Sequence, residues 1–311
     1  MQSNKTCPLV EQYLGYLSVI KGRSENTILE YQTDILAFFN YIAQQRQMSM
    51  KNRNFSFADI DFIKSISLSD MYGFISFCQI ELQSSPGTRA RKIVSLRQFW
   101  KYLKTKARLI DNNIAEELET PRLSKRIPHY LTLEESVRLL IECKISPRDH
   151  CIMTIFLNCA LRISELASLN LEQISSDVLS IIGKGNKERK IFLTPAAKKS
   201  ISNFLIVRNE MSVASNALFI SRNKKRITTR AIQDVVQKYV ALAGLDTKAI
   251  SAHKLRHTSA TLMYKYGHVD IRSLQMILGH ESVATTEIYT HVDETQLQAA
   301  VNSNPLAMMF S

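Results

Sequence analysis

No stretch of this sequence approaches the roughly 20 consecutive apolar residues that a membrane-crossing helix needs. The densest, residues 151–161, is interrupted by Thr154 and Asn158 and reads as a buried helix. The N-terminus lacks the basic-then-apolar layout of a secretory signal, so a soluble chain in the cytoplasm is expected. Cysteine is sparse and scattered: Cys7, Cys78, Cys143, Cys151 and Cys159, with no CxxC pair among them. That speaks against a zinc site and fits a reducing compartment. Apolar neighbours mark most of these as buried thiols. No internal repeat or low-complexity segment is present. Acids are outnumbered, 28 Asp and Glu against 40 Lys and Arg, leaving a formal charge of +12. The excess points to a polyanionic partner, and charge alone leaves DNA, RNA and a membrane surface open.

The 311 residues, 45% of them apolar, suffice for two domains with cores of their own. The first third reads as helical. Residues 27–42 carry Ile28, Tyr31, Ile35, Phe38 and Phe39 at helical spacing. A second helix is predicted over residues 68–82. A third follows Pro86-Gly87, with Thr88 as its N-cap and Ile93, Leu96, Trp100 and Leu103 along one stripe. Around that stripe stand Arg89, Arg91, Lys92, Arg97, Lys101 and Lys104. Such a run is either a solvated face or a set of DNA contacts. Pro121 and Pro128, with Arg122, Lys125 and Arg126 between them, interrupt regular structure. The predicted organisation is therefore an N-terminal helical domain (residues 1–112), a linker (113–128) and a second domain (129–311).

In the second domain, Thr132-Leu133-Glu134-Glu135 matches a capping box and opens a helix to about Cys143. Pro147 starts the next helix, which runs to about Asn158. A short helix follows over residues 164–169. The period then changes: residues 178–182 and 190–193 read as strands joined through Gly183-Lys184-Gly185-Asn186-Lys187-Glu188, and residues 217–221 as a further strand. Helices resume over residues 229–243, 252–266 and 270–278. The fold class is mainly α with a small antiparallel sheet.

Taken singly, the polar residues of this half say little. His253 and Arg256 share a helix face. His253 and His257 have metal-ligand spacing, but no glutamate follows the first histidine and no acidic third ligand is near. Arg162 alone reads as a surface residue and Tyr289 as a core tyrosine. Their order along the chain is more specific. Ala160-Leu161-Arg162-Ile163-Ser164-Glu165-Leu166 comes first, and Gly183-Lys184-Gly185-Asn186-Lys187-Glu188-Arg189 second. Then come His253-Lys254-Leu255-Arg256-His257-Thr258, Leu278-Gly279-His280, and Tyr289 nine residues beyond His280.

These blocks resemble the tyrosine recombinase (phage-integrase) family, particularly its Xer-like branch. The basic helical first third, with Thr27, Tyr31 and Asp34, resembles that family's core-binding domain. The resemblance implies a two-domain, C-shaped clamp around DNA, made of a core-binding domain and a catalytic domain. It implies DNA cleavage and rejoining through a 3′-phosphotyrosine on Tyr289, by a tetramer on two paired sites. Chromosome or plasmid resolution and mobile-element integration or excision both fit. Arg162 and Arg256 are implied as donors to the non-bridging oxygens, a role suited to planar, permanently charged groups. Lys184 is implied as the acid for the leaving 5′-oxygen, with Lys187 as the alternative on the same hairpin. His253 is implied as proton acceptor, His280 as a phosphate donor and Glu165 as an orienting residue; His257 is read as structural. No metal or other cofactor is required, since the bond energy is kept in the phosphotyrosine link. The implied partners are double-stranded DNA with a specific recombination site and further copies of the chain, with a related recombinase or accessory protein as an addition, and no membrane. The apolar tail, Leu306, Met308, Met309 and Phe310, is expected to link protomers. A type IB topoisomerase-like nicking-closing enzyme and a non-catalytic DNA-binding regulator are the rival readings. Two departures stand out: Ala160 occupies a position where the family usually has glycine, and residues 45–59 form a longer connection than in its smallest members.

Overall fold

The structure is a computed structural model that describes residues 7–48, 55–122, 129–183, 188–211, 213–267, 269–280, 282, 285 and 286. The chain divides into two compact units, Met1–Lys125 and Arg126–Ser311.

The first unit is built from helices α1 (Pro8–Gly15), α2 (Glu25–Gln45), α3 (Ile60–Lys64), α4 (Leu68–Ile80) and α5 (Pro86–Tyr102). Short polar side chains set their starts. Ser24 caps α2 and Asp59 caps α3, while Ser67 and Asp70 form a reciprocal capping box on α4. The cap of α5 is Ser85, not Thr88. Pro86 has no N–H to leave unpaired and so takes the first helical position, which moves the cap upstream to Ser85. The core between these helices is aromatic: Tyr13, Phe38, Phe39, Phe74, Phe99 and Trp100 are all buried, and several pairs meet edge to face. Within it lies a fully buried carboxylate. Asp34 accepts hydrogen bonds from Arg91 Nη1 (2.6 Å), Lys92 Nζ (2.9 Å) and Ser95 Oγ (2.8 Å), tying α2 to α5. The start of the predicted linker also belongs to this core. Ile114–Glu117 forms a single 3₁₀ turn, and Ala115 and Leu118 are buried against the helices.

The second unit contains α6 (Leu133–Cys143), α7 (Pro147–Cys159), α8 (Ile163–Ser168), strands β1 (Val178–Ile182) and β2 (Glu188–Phe192), α9 (Pro195–Glu210), α10 (Thr229–Leu242), α11 (Ala252–Gly267) and α12 (Ile271–Leu278). The capping box of Thr132 and Glu135 opens α6 as the sequence suggests. Helix α7 is buried along nearly its whole length and forms the centre of the core. The two strands pair antiparallel from Val178↔Phe192 to Ile182↔Glu188. Residues 217–221 make only isolated bridges, Asn170↔Ala217 and Ile220↔Arg226, and are not a ladder strand. Helix α9 is absent from the sequence-based expectation. Its signals are Thr194 as cap, Pro195 at the first position, and Ala197, Ile201 and Phe204 at helical spacing. Its next inward position is Arg208, which donates to the Ala217 carbonyl through Nε and Nη2.

All five cysteines are buried and unpaired. Burial pushes the thiols of Cys143, Cys151 and Cys159 up to about 12, and raises those of Cys7 and Cys78. Among the described residues, no helix is long and apolar enough to cross a membrane.

Candidate active site

The site is assembled at the ends of elements within the second unit. Helix α7 stops at Ala160, whose φ of 50° and ψ of 36° lie in the left-handed region. This is the backbone conformation for which glycine is usually chosen, and the alanine adopts it without leaving the core. The reversal brings Arg162 to the start of α8. Three residues on, Glu165 reaches back to accept from the Arg162 backbone N–H (2.8 Å) and from its Nη1 (2.8 Å).

Helix α12 supplies the other half. It ends at Gly279, with a left-handed φ of 62°. The last carbonyls of any helix need donors from outside it. Here those of Gln275 and Met276 take the backbone N–H groups of Gly279 and His280. The next three take arginines. Arg189 Nε donates to Ile277 O (3.1 Å), Arg256 Nη2 to Leu278 O (2.6 Å) and Arg162 Nη2 to Gly279 O (3.0 Å). The negative end of the helix dipole favours cations at this point.

Glu165 is the counter-charge the three arginines share. Arg189 grips both its oxygens, at 2.9 and 2.8 Å, Arg162 one, and Arg256 Nη1 stands 3.8 Å away. Burial alone would raise the Glu165 carboxyl. Hydrogen bonds from Arg189 and from the Arg162 backbone outweigh it and hold the group at about 2. Three guanidiniums against one carboxylate leave an excess of positive charge. It faces an open cleft of about 1050 Å³ lined by Arg162, Ser164, Glu165, Arg189, Gly279 and His280 among others.

The histidines are kept neutral at pH 7. Burial first, then Arg256, Arg162 and Arg189, pushes His280 down to about 4. Its Nε2 lies 3.2 Å from Arg256 Nη2 and its Nδ1 3.0 Å from Thr286 Oγ1. A guanidinium only donates, so Nε2 accepts and the proton sits on Nδ1, toward Thr286. One helical turn apart on α11, His253 and His257 share a 2.9 Å contact between their Nε2 atoms. Packing around the ring, followed by the charge of Arg256, lowers His253; burial followed by His253 brings His257 to about 4.

The structure therefore brings together Arg162, Glu165, Arg256 and His280, with His253 on the same helix as Arg256. Lys184, Lys187 and Tyr289, with the tail beyond it, lie outside the described residues. The model of the phage integrase family matches residues 129–296, and that of the phage integrase N-terminal SAM-like domain matches residues 10–107.

The chain belongs to the phage integrase family. Tyrosine recombinase XerC of Caldanaerobacter subterraneus subsp. tengcongensis is 48% identical to it over 315 residues, covering 99% of this chain and 89% of that protein. Tyrosine recombinase XerD of Shewanella oneidensis is 30% identical over 94% of each. The crystal structure of XerH site-specific recombinase bound to palindromic difH substrate, a post-cleavage complex, has a TM-score of 0.71 at 23% identity. It covers 89% of this chain and 79% of that one, and bears on the fold. The family and the XerC relative make this protein a site-specific tyrosine recombinase of the Xer-like branch.

The cations expected along α5 stand in different surroundings. Lys92 is buried on Asp34 and cannot reach a phosphate without abandoning that carboxylate. Arg91 spends one nitrogen on the same group, Arg97 donates to the Leu118 carbonyl, and Arg89 to the Ser84 carbonyl (2.7 Å). Lys101 and Lys104 are exposed. Arg189 is the site residue that sequence reasoning passed over. It stands in the quoted hairpin block, but its partners, Glu165 and Ile277, are far away in the chain.

Proposed function

We propose that this recombinase cleaves and rejoins double-stranded DNA at a specific site through Tyr289, as a tetramer on two paired sites. The observation that carries the reading is the convergence of Arg162 and Arg256 on adjacent carbonyls at the end of α12, with His280 beside them. Two guanidiniums presented side by side match the non-bridging oxygens of a phosphodiester, where the transition state gathers charge. The Tyr289 phenol oxygen forms a bond to phosphorus as the bond to the 5′-oxygen breaks. Neutral His253 takes the phenol proton, and Lys184 gives one to the departing oxygen. Reversal by an incoming 5′-hydroxyl restores the strand and releases the tyrosine. His280 donates to the phosphate through Nε2 only after its proton moves from Nδ1 to Nε2, with the Thr286 hydroxyl then donating to Nδ1 and the Nε2 contact with Arg256 released. The segment beyond Tyr289, residues 296–311, links each protomer to the next. Solved relatives bound to DNA, such as the XerH complex with difH, support the choice of DNA over other polyanions.

The test is a nicked suicide duplex that traps the covalent adduct. The wild-type protein is expected to accumulate it, and Tyr289→Phe to bind the same duplex and form none. Adducts of normal yield from Tyr289→Phe would overturn the assignment.

A further inference from the structure

We infer that Arg189 is a positioning residue for strand cleavage: by saturating Glu165 and capping the Ile277 carbonyl, it holds Arg162 and Arg256 in the spacing that receives the phosphate. The inference rests on the proposed reading of Arg162 and Arg256 and adds a residue to it. All three nitrogens of the Arg189 guanidinium are engaged, Nε by Ile277 and the Nη pair by the two oxygens of Glu165. Its side chain is 13% exposed, against 38% for Arg162. It borders the cleft, but its nitrogens are turned onto Glu165 and Ile277, so it acts through those partners.

The chemistry of Glu165 explains why such a residue is needed. A buried carboxylate has to be paired, and it takes whatever donors are within reach. With Arg189 in place, both oxygens are served by a residue outside the proposed phosphate-binding pair. Without it, Arg162 and Arg256 are the remaining cations facing the group, Arg162 already bonded and Arg256 at 3.8 Å. They would close further onto the carboxylate, which changes the spacing between their guanidiniums. The packing is specific as well. A side chain on Gly279 would come within 3.2 Å of Arg189 Nη1, so the glycine leaves the room that this guanidinium fills. Through its bond to Ile277, Arg189 also ties β2 to the end of α12, where Arg256 and Arg162 hold the next two carbonyls.

The experiment measures adduct formation on the suicide duplex, and duplex affinity, for full-length Arg189→Gln, Arg189→Lys, Glu165→Gln and the Arg189→Gln/Glu165→Gln double variant. Arg189→Gln is expected to cleave roughly tenfold or more slowly, the usual scale for a residue that works through an orienting hydrogen bond, with affinity changed less than about threefold. Arg189→Lys keeps the charge but not the fork, and recovers part of the rate. Because both residues act through one contact, the double variant is expected to cleave no more slowly than the slower single variant. Arg189→Gln cleaving within about twofold of wild type would overturn the inference. So would rate losses that multiply in the double variant, or equal losses of rate and affinity with no rescue by lysine. Tyr289→Phe runs alongside as the control on the underlying reading. Adducts from that variant remove the nucleophile, whereas a silent Tyr289→Phe beside a fast Arg189→Gln removes only the role of Arg189.

Discussion

Arg256 Nη2 lies 3.2 Å from His280 Nε2, which makes that ring nitrogen an acceptor and the histidine neutral. With burial and the charges of Arg256, Arg162 and Arg189 around it, the ring is held at about 4 against an ordinary value of 6.5. His257, facing His253, Lys254 and Arg256, is held at about 4 for similar reasons. Between those values the unfolded chain binds protons that the folded one refuses. Stability therefore falls as pH drops from 6.5 toward 4. Glu165, held at about 2, adds its own loss only below its ordinary value of 4.5. Denaturant titrations at pH 7.5 and 5.5 should give a lower midpoint at 5.5, and the gap should narrow in His257→Gln. A midpoint that is flat or rises toward acid contradicts the neutral assignment.

The two arginines of the proposed phosphate site should separate in stability while agreeing in rate. Arg162→Ala and Arg256→Ala are each expected to slow adduct formation by about 10² or more. Arg256 is only 3% exposed and serves the carbonyls of Ala160 and Leu278. Removing it strands buried acceptors, at about 1–3 kcal/mol each. Arg162, 38% exposed, is expected to cost less. Thermal melts of both variants beside their cleavage rates check this, and equal melting temperatures count against it.

Lys92, buried on α5, and the exposed Lys101 and Lys104 should behave oppositely. Lys92→Ala takes a partner from fully buried Asp34 and is expected to destabilise the first unit by on the order of 3 kcal/mol, while leaving the salt dependence of DNA binding alone. Lys101→Ala or Lys104→Ala should leave stability intact and flatten the log–log salt slope by about 0.9 for each phosphate that is no longer neutralised. A flatter slope from a fully stable Lys92→Ala would reverse the assignment.

At Ala160 two opposing terms nearly cancel. The left-handed backbone costs an alanine about 1–2 kcal/mol relative to glycine, and its methyl group, buried beside Ala260, Leu274 and Leu278, contributes about 0.8 kcal/mol. Ala160→Gly should therefore be neutral or slightly stabilising. Ala160→Val adds a β-branch to the same backbone and a closed core, and should lose several degrees in a thermal melt and most cleavage activity. A wild-type melt from the valine variant would mean that the turn is not constrained.

Helix α6, opened by the capping box of Thr132 and Glu135, could be read directly from the sequence, because that signal is local. Helix α9 was hidden because its fourth inward position is Arg208, whose acceptors at Ser215 and Ala217 are supplied by a later loop. The surroundings of the α5 cations are hidden in the sequence for a similar reason. Helical spacing places Lys92 beside an apolar stripe, but only the packing of α2 shows that Asp34 meets it there. In the site, Arg162 and Glu165 are three residues apart, so their contact follows from helix geometry. The bonds of Arg189 depend on strand register and on where α12 ends, and neither is written in the hairpin block itself.

The buried thiols give this recombinase reporters of its own opening. Cys7 and Cys78 lie in the core of the first unit, and Cys143, Cys151 and Cys159 in that of the second. Thiols held near 12 present almost no thiolate at neutral pH, and only thiolate reacts with an alkylating reagent. Each cysteine is therefore silent until its surroundings open. The order in which native cysteines become labelled under mild denaturant would rank the local stability of the two units without a single engineered probe.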